Sequence, residues 1–340
     1  MKKNILSLFA LAYVAVGCSP TQTAIKVADV ETYKNSITSA ELNKHLYIVA
    51  DDNMEGRNTG EPGQKRAGEY LINEYKKIGV SFPPGATDFY QKVPSEFMKK
   101  GFAPKLNDSE NIWAFIEGTE KPNEVLVISA HYDHVGMKNG EVFNGADDDG
   151  SGTVALLEIA QAFKKAKNDG FGPKRSILFL HVTGEEHGLH GSRFYSENPL
   201  FPIENTIADI NIDMIGRRDT LHPKTNNYVY VIGSDRLSSE LHTINEEVNA
   251  KYTQLELDYK YNDRKDPERI YFRSDHYNFA KKGIPAIFFF NGIHADYHQS
   301  SDTPDKIEYD ALAKRAQLAF VLAWELANRP DRIKVDRDGK

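Results

Sequence analysis

Five short apolar runs, all between residues 125 and 290, constrain the fold more than any other feature of this sequence. Such runs are typical of strands that are buried on both faces of a sheet. Helical patterns alternate with them, at 154–164, 237–248 and 306–326. The alternation predicts an α/β fold with a largely parallel, mixed sheet and helices on both faces. The predicted strands cover 125–130, 176–182, 206–212, 228–232 and 284–290.

The first third of the chain has a helical pattern. Leu42, Leu46 and Val49 recur at helical spacing, which predicts one helix in this region. A loop rich in Gly, Asn and Asp follows it, and a second helix is predicted over 64–77. This second helix should end at Gly79, because glycine is the residue that most readily closes a helix.

The segment 80–110 contains four prolines, so we expect it to be irregular or to form a short edge hairpin. No internal repeat, low-complexity tract or strong linker interrupts the chain after residue 40. The sequence therefore predicts one folded domain over 36–330.

The N-terminus has the pattern of an export signal. Two lysines precede an apolar run at 5–16, which is too short to span a bilayer and ends at Gly17 and Cys18. Cys18 is the only cysteine, and it lies where a bacterial lipobox places the cysteine that becomes lipidated. We expect a signal peptide over 1–17 and a lipid-anchored polar tether over 18–35. The alternative is a plain signal peptide that is cleaved nearby.

This interpretation predicts an exported lipoprotein of the bacterial cell envelope, either periplasmic or associated with the outer membrane. The formal net charge of the whole chain is -7. Nucleic-acid binding proteins usually present a basic face, so we expect no nucleic-acid partner.

Histidine, aspartate and glutamate follow one predicted strand after another. In open α/β sheets, functional sites form beyond the carboxyl ends of the strands, so these side chains should meet at one edge. They lie in five segments of the chain: 131–134, 145–152, 184–188, 213–216 and 294–298.

Taken singly, each segment has an ordinary interpretation. The aspartates at 147–149 fit a helix N-cap, Glu185 and Glu186 fit a surface pair, and His131 fits a structural histidine. Taken together, they would place several carboxylates side by side, which is unfavourable unless a cation compensates them. Histidine and carboxylate ligands without thiolates suit zinc, and they suit manganese and cobalt less selectively.

The number of candidate ligands is sufficient for two ions that share one carboxylate. The remaining histidines are predicted to be structural or at the surface. They are His45, His134, His181, His187, His190, His222, His242, His276 and His294.

Five motifs, in this order, resemble those of the co-catalytic two-zinc aminopeptidases of peptidase family M28. These are the secreted bacterial enzymes related to the leucine aminopeptidases of Vibrio and Streptomyces. The resemblance also includes 41–79, and it implies the α/β/α sandwich of the zinc exopeptidases. The motifs are HYD at 131–133, GADDDGSG at 145–152, GEEHGLHGS at 184–192, NIDMIG at 211–216 and YHQSSDTPDKI at 297–307.

The resemblance implies two zinc ions per chain and a set of ligands for them. His131 and Asp213 correspond to ligands of the first ion, and Glu186 and His298 to ligands of the second. Asp148 corresponds to the carboxylate that bridges the two ions. Its selection among three consecutive aspartates rests on the alignment of the motif.

The resemblance also implies the catalytic groups. Glu185 corresponds to the general base, and Tyr297 to a residue that stabilises the tetrahedral intermediate. Asp133 corresponds to the carboxylate that orients the imidazole of His131. The expected activity is hydrolysis of the N-terminal peptide bond of peptides that have a free amino group.

Three other functions fit the same fold. A carboxypeptidase would need a basic pocket for a terminal carboxylate, and Arg217, Arg218 and Arg273 lie near the relevant loops. Glutaminyl cyclase uses one zinc on the same fold, but its sequence differs from GADDDGSG in the segment that corresponds to the one around Asp148. A binding module that kept the fold would have lost ligands, whereas all of them are present here.

Overall fold

The computed structural model describes residues 28–99 and 106–339, where an eight-stranded mixed sheet lies between two layers of helices. The strand order is β1-β2-β6-β3-β7-β10-β8-β9, and β4 pairs with β5 as a separate hairpin. In chain order the strands are β1 Tyr90–Val93, β2 Ser109–Ile116, β3 Lys121–His131, β4 Met137–Lys138, β5 Glu141–Val142, β6 Arg175–Val182, β7 Thr206–Ile212, β8 Tyr228–Ile232, β9 Glu256–Asp258 and β10 Ala286–Phe290.

The centre of the sheet is parallel, as the sequence predicts. Strands β6, β3, β7 and β10 run in the same direction, whereas β2 and β8 are antiparallel to their neighbours in this central group. All five predicted strands are present. Because the four central strands are parallel, their carboxyl ends meet at one edge of the sheet.

Strand β2 was not predicted from the sequence. Only its second half is apolar, yet all eight of its residues are buried. Its polar residues are buried with partners from other elements: Glu110 is 2.5 Å from Lys65 Nζ, and the amide of Asn111 donates to Gln91 Oε1 and to the carbonyl of Gly191. The edge hairpin expected in 80–110 is β1 paired with β2.

Nine α-helices occur within residues 28–99 and 106–339, and they include those that the periodicity predicts. Helix α3 ends at Gly79, which has φ 76° as expected for a closing glycine. In chain order the helices are α1 Val30–Lys34, α2 Ser39–Val49, α3 Pro62–Ile78, α4 Ser95–Met98, α5 Gly152–Asn168, α6 His190–Glu197, α7 Ser239–Val248, α8 His276–Ala280 and α9 Tyr309–Asn328.

The two faces of the sheet carry separate cores. Along β3, Leu126 and Ile128 pack with α2, α3, α5 and α9, while Val125 and Val127 pack with residues of α6 and α8. Successive side chains of a strand point to opposite faces, so a strand that is covered on both faces is apolar at every position. This explains the uninterrupted apolar runs in the sequence.

The folded domain begins earlier than residue 36, which was the predicted boundary. Helix α1 lies inside the segment assigned to the tether, and its Tyr33 is buried against Trp324 with ring centroids 5.7 Å apart. At the other end, Ile333 is buried beyond the predicted boundary at 330. A single aromatic residue in a polar segment is too weak a pattern to indicate this packing.

The predicted signal peptide and Cys18 lie outside the described residues. Among the helices of 28–99 and 106–339, none is long and apolar enough to cross a bilayer.

Arg57 connects the elements that support the carboxyl edge of the sheet. Its fully buried guanidinium donates to four main-chain carbonyls, at distances between 2.6 and 3.0 Å. These carbonyls lie at the end of α2, just after β3, and in the loop that precedes the three aspartates; they belong to Val49, Tyr132, Asn144 and Gly145.

Replacing Arg57 with leucine should lower the free energy of unfolding by about 3 kcal/mol or more, because four buried carbonyls lose a charged donor. Denaturant unfolding monitored by circular dichroism measures this change. Arg66→Ala is the control, since Arg66 pairs with Glu55 at the surface and its loss should cost about 0.5–1 kcal/mol. Equal losses for the two variants would contradict the role given to Arg57.

Candidate metal centre

The predicted ligands meet at the carboxyl edge of the sheet. His131 ends β3, Glu185 and Glu186 follow β6, and Asp213 follows β7. Asp148 lies in a tight turn before α5, and His298 lies in the loop after β10. Residues distant in sequence are thus brought together by the parallel strands, as the strand-end pattern predicts.

Asp148 lies between two histidines. Its Oδ1 atom is 3.2 Å from Nε2 of His131, and its Oδ2 atom is 3.0 Å from Nε2 of His298. Each carboxylate oxygen therefore faces a different imidazole. This is the arrangement that a carboxylate shared between two cations requires.

A further carboxylate lies on each side of Asp148. Oδ1 of Asp213 is 3.6 Å from Nε2 of His131, and Oε2 of Glu186 is 3.0 Å from Nε2 of His298. Asp213 also accepts a hydrogen bond from Ser274, at 2.6 Å, which fixes its orientation. The structure thus groups all five predicted ligands into two neighbouring sets that share Asp148.

Asp147 has both carboxylate oxygens, and Asp149 has one, in contacts with other groups. Asp147 accepts from the amide of Gly216 at 2.6 Å and lies 3.0 Å from Nε2 of His294. Oδ1 of Asp149 accepts from the amides of Gly152 and Met214. These contacts leave Asp148 as the member of the triplet that has both oxygens directed at the histidines.

Gly145 allows this turn to form. Its φ is 54°, and a Cβ atom there would lie 2.3 Å from the carbonyl oxygen of Asp148 and 2.4 Å from the ring of His134. Any side chain would displace Asp148, so only glycine fits.

His134 belongs to the site, although the sequence predicted a structural or surface role for it. Its ring is fully buried, and Nδ1 lies 2.7 Å from Oε1 of Glu186 and 3.8 Å from Oδ2 of Asp148. His134, Asp148 and Glu186 could together hold an ion, as could His131, Asp149 and Asp213. The available signal was its position, three residues after His131 at the same strand end.

Asp133 lies behind His131, but its contact differs from the predicted one. Nδ1 of His131 is 3.1 Å from the main-chain oxygen of Asp133 and 3.8 Å from the carboxylate. The carboxylate instead accepts from Thr59 at 2.7 Å and from the amide of Glu185 at 3.2 Å. Asp133 therefore supports the imidazole through its carbonyl and positions the main chain of Glu185.

Glu185 and Tyr297 face a cavity, open to solvent, beside Asp148 and Asp213. Arg273 lies at this cavity too, with one guanidinium nitrogen 3.5 Å from the hydroxyl of Tyr297. The opposite wall is apolar and consists of Met214, Ile270, Phe288, Phe290 and Ile293.

Of the arginines considered for a carboxylate pocket, only Arg273 lines this cavity. Arg217 pairs with Asp296 at 2.9 Å, and Arg218 pairs with Glu308 at 3.0 Å.

Burial and neighbouring charge alter the acidity of the cavity groups. Burial raises the pKa of Glu185 well above its ordinary value; the charge of His131 opposes this, and Glu186 adds to it. Burial lowers the pKa of His298, but hydrogen bonds to Asp148 and Glu186 outweigh this and raise it to about 10. Positive charge is thus strongly favoured between these two carboxylates.

Several potential metal-ligand atoms in the site make no hydrogen bond of acceptable geometry within the described residues, although some of them lie close to one another. They are Nε2 of His131, both ring nitrogens of His134, Oδ2 of Asp149 and Oε1 of Glu186. Buried polar atoms of this kind are rare in folded proteins and call for a ligand. Their types, imidazole nitrogen and carboxylate oxygen, suit zinc. The residues present therefore fit a metal centre.

A second buried arginine supports the loop that follows Asp213. The guanidinium of Arg315 donates to the carbonyls of Ile215, Arg217, Asn226 and Tyr228, at distances between 2.6 and 3.1 Å. The loops that carry Asp148 and Asp213 are thus each held by one arginine through main-chain carbonyls.

Curated relatives of similar sequence are peptidases by name. A probable leucine aminopeptidase of Trichophyton verrucosum is 29% identical over 225 residues, which cover 64% of this chain and 57% of that protein. A probable zinc metalloprotease of Pyricularia oryzae is 28% identical over 267 residues, covering 66% of this chain and 51% of that protein. The chain thus spans between half and three fifths of the length of these relatives.

Solved structures share the fold. The LapA aminopeptidase of Legionella pneumophila superposes with a TM-score of 0.67 at 21% identity, covering 95% of this chain and 81% of that one. The glutaminyl cyclase of Porphyromonas gingivalis superposes with a TM-score of 0.64 at 19% identity, covering 84% and 97%.

The model of peptidase family M28 matches residues 111–323. This region includes every predicted ligand and both predicted catalytic groups. Since the match covers more than half of its length, the chain belongs to peptidase family M28.

Proposed function

We propose that this chain is a zinc-dependent aminopeptidase that removes the first residue from peptides. The observation that carries the proposal is the position of Asp148, whose two oxygens face His131 on one side and His298 on the other. A shared carboxylate of this kind is the distinguishing requirement of a two-ion centre.

The proposed ligands follow from the two sets around Asp148. His131 and Asp213 would hold one zinc ion, Glu186 and His298 would hold the other, and Asp148 would contact both. The chemistry that such a pair supplies is Lewis acidity, which polarises a carbonyl and makes hydroxide available near neutral pH.

Glu185 is the proposed general base. It faces the cavity beside Asp148, and its main chain is positioned by Asp133. Its carboxylate accepts a proton from the attacking water and returns that proton to the leaving amine, so no net proton is gained or lost. Burial raises the pKa of Glu185, which makes its carboxylate a stronger base than an exposed one.

Tyr297 is the proposed donor to the developing oxyanion. Burial and the nearby carboxylates of Asp148 and Glu186 raise its pKa, so the hydroxyl stays protonated and can donate. Negative charge on the carbonyl oxygen grows as the water adds, and a donor aimed at that oxygen stabilises the transition state more than the substrate.

The cavity supports a substrate class. Its acidic side can bind the free amino group of a peptide, and its apolar wall suits an apolar first side chain. The aminopeptidase names of similar proteins support the same direction of cleavage. Arg273 is the one feature of the cavity that favours a carboxylate, so the assay below includes the carboxypeptidase alternative.

Glu185→Gln should lower the release of p-nitroaniline from leucine p-nitroanilide by at least about 100-fold, because the amide cannot accept the proton. Its zinc content, measured by elemental analysis, should stay close to that of the unmodified chain. Loss of zinc in this variant would show that Glu185 is a ligand and would contradict the assignment.

Glu186→Gln is the matched control, because it changes the adjacent carboxylate in the same way. This variant should lose activity together with zinc. Acetylating the amino group of the substrate should abolish cleavage by the unmodified enzyme. Cleavage of acetylated peptides from their carboxyl end, or cyclisation of N-terminal glutamine without release from leucine p-nitroanilide, would replace the aminopeptidase proposal.

We also propose that residues 1–17 direct export and that Cys18 carries a lipid anchor in the cell envelope. The support is the sequence pattern alone: an apolar run, a small residue and the chain's single cysteine at the end of that run. The polar residues that follow would then connect the anchor to α1.

Cys18→Ser should move the protein from the membrane fraction to the soluble fraction after cell lysis, because the thiol that takes the lipid is lost. Its activity per molecule should not change, since the catalytic domain is the same. Fractionation followed by immunoblotting measures the distribution. An unchanged distribution would contradict a lipid anchor at this residue.

A further inference from the structure

A second group of metal-ligating side chains lies away from the candidate metal centre. Glu41 and His45 on α2 approach Glu158 on α5, and Tyr70 on α3 adjoins them. The group shares no residue with the centre around Asp148. Glu41 and His45 also precede the region that the family model matches.

Glu158 is the most unusual member of this group. Its residue exposure is 1%, and neither carboxylate oxygen has a hydrogen-bond partner among the described residues. Nε2 of His45 lies 3.3 Å from its Oε1 atom. A buried carboxylate without hydrogen bonds is costly unless positive charge lies beside it.

The imidazole of His45 is oriented for a ligand. Its Nδ1 atom is 2.6 Å from the hydroxyl of Tyr70, which leaves Nε2 facing Glu158 and 4.0 Å from Oε2 of Glu41. A metal-bound histidine characteristically uses its other ring nitrogen in a hydrogen bond of this type.

The spacing of the three groups suits a small divalent cation. Tetrahedral zinc with bonds of about 2.0–2.1 Å holds neighbouring ligand atoms about 3.3 Å apart, which matches the distance between His45 and Glu158. Glu41 and His45 lie four residues apart, on the same face of α2. Ligand atoms from all three side chains lie within 4.8 Å of one another.

Glu41 is the outer member of the group. Its side chain is 42% exposed, and its Oε2 atom pairs with Lys44 at 2.9 Å. A cation held by His45 and Glu158 could therefore complete its coordination with Glu41 and a water from the exposed side.

We propose that Glu41, His45 and Glu158 form a further zinc-binding site, separate from the catalytic centre, that joins α2 to α5. The ion compensates the buried charge of Glu158 and fixes the two helices to each other. Its role is structural, because neither helix face at this point borders the cavity that contains Glu185 and Tyr297.

Helices α2 and α5 both contact the loop that carries Asp148. Helix α5 begins at Gly152, directly after the turn that contains Asp148. The end of α2 provides the carbonyl of Val49 to Arg57, and the next carbonyl, of Ala50, accepts from Asn144 in the loop before the aspartates. A clamp between α2 and α5 therefore limits movement of the loop that positions Asp148.

The full-length Asp148→Asn variant separates the two sites, because it should lose the ions of the catalytic centre. Any zinc that it retains then reports on the proposed site between α2 and α5. After gel filtration in metal-free buffer, it should retain about one zinc per chain, and adding Glu158→Gln should remove it. Chelation should lower the melting temperature of Asp148→Asn by several degrees but leave that of the double variant unchanged.

Glu74→Gln is the matched control on the Asp148→Asn background. Glu74 is a largely buried carboxylate on α3, but it already pairs with Lys77, so its replacement should leave the zinc content unchanged. In the otherwise unmodified chain, Glu158→Gln should remove about one zinc per chain and keep most of the peptidase activity.

Equal zinc content with and without Glu158→Gln, on both backgrounds, would overturn the proposal and leave a direct contact between His45 and Glu158 without an ion. Failure of the catalytic proposal gives a different result, in which Asp148→Asn does not change the zinc content while Glu158→Gln still lowers it.

Discussion

The strongest physical constraint on this structure is the concentration of acidic side chains at the carboxyl edge of its sheet. Asp148, Glu185 and Asp213 line one cavity, and Glu186 contacts the same imidazole of His298 as Asp148. Such a group of carboxylates is stable only if cations or donors compensate it. The surrounding elements supply donors. For example, the hydroxyl of Ser274 donates to Oδ2 of Asp213 at 2.6 Å.

Much of the fold could be predicted because parallel strands buried on both faces are apolar at every position. The runs at 206–212 and 228–232 correspond residue for residue to β7 and β8. Strand β2 and helix α1 could not be predicted in this way. The buried polar residues of β2 have partners distant in sequence, and so do the residues of α1, where Tyr33 stacks on Trp324 and Lys34 donates to the carbonyl of Tyr252.

The candidate site was predictable to the extent that its residues follow strands. The structure brings together the five side chains that the motifs imply as ligands, with His134 and Asp149 beside them, and their roles as ligands stay a prediction. His134 and the two arginines beneath the site, Arg57 and Arg315, were not found in this way. The partners of the arginines are main-chain carbonyls, which leave no pattern in the sequence. The position of His134 at the end of the same strand as His131 was a weak signal, and its contact with Glu186 at 2.7 Å places it in the site.

Anomalous diffraction at the zinc edge, from crystals of the zinc-loaded chain, tests the two-ion centre most directly. The account predicts two peaks about 3.5–4 Å apart on either side of Asp148. One should lie beside His131 and Asp213, and the other beside Glu186 and His298. A single peak at this edge, or two peaks that Asp148 does not connect, would contradict the central claim.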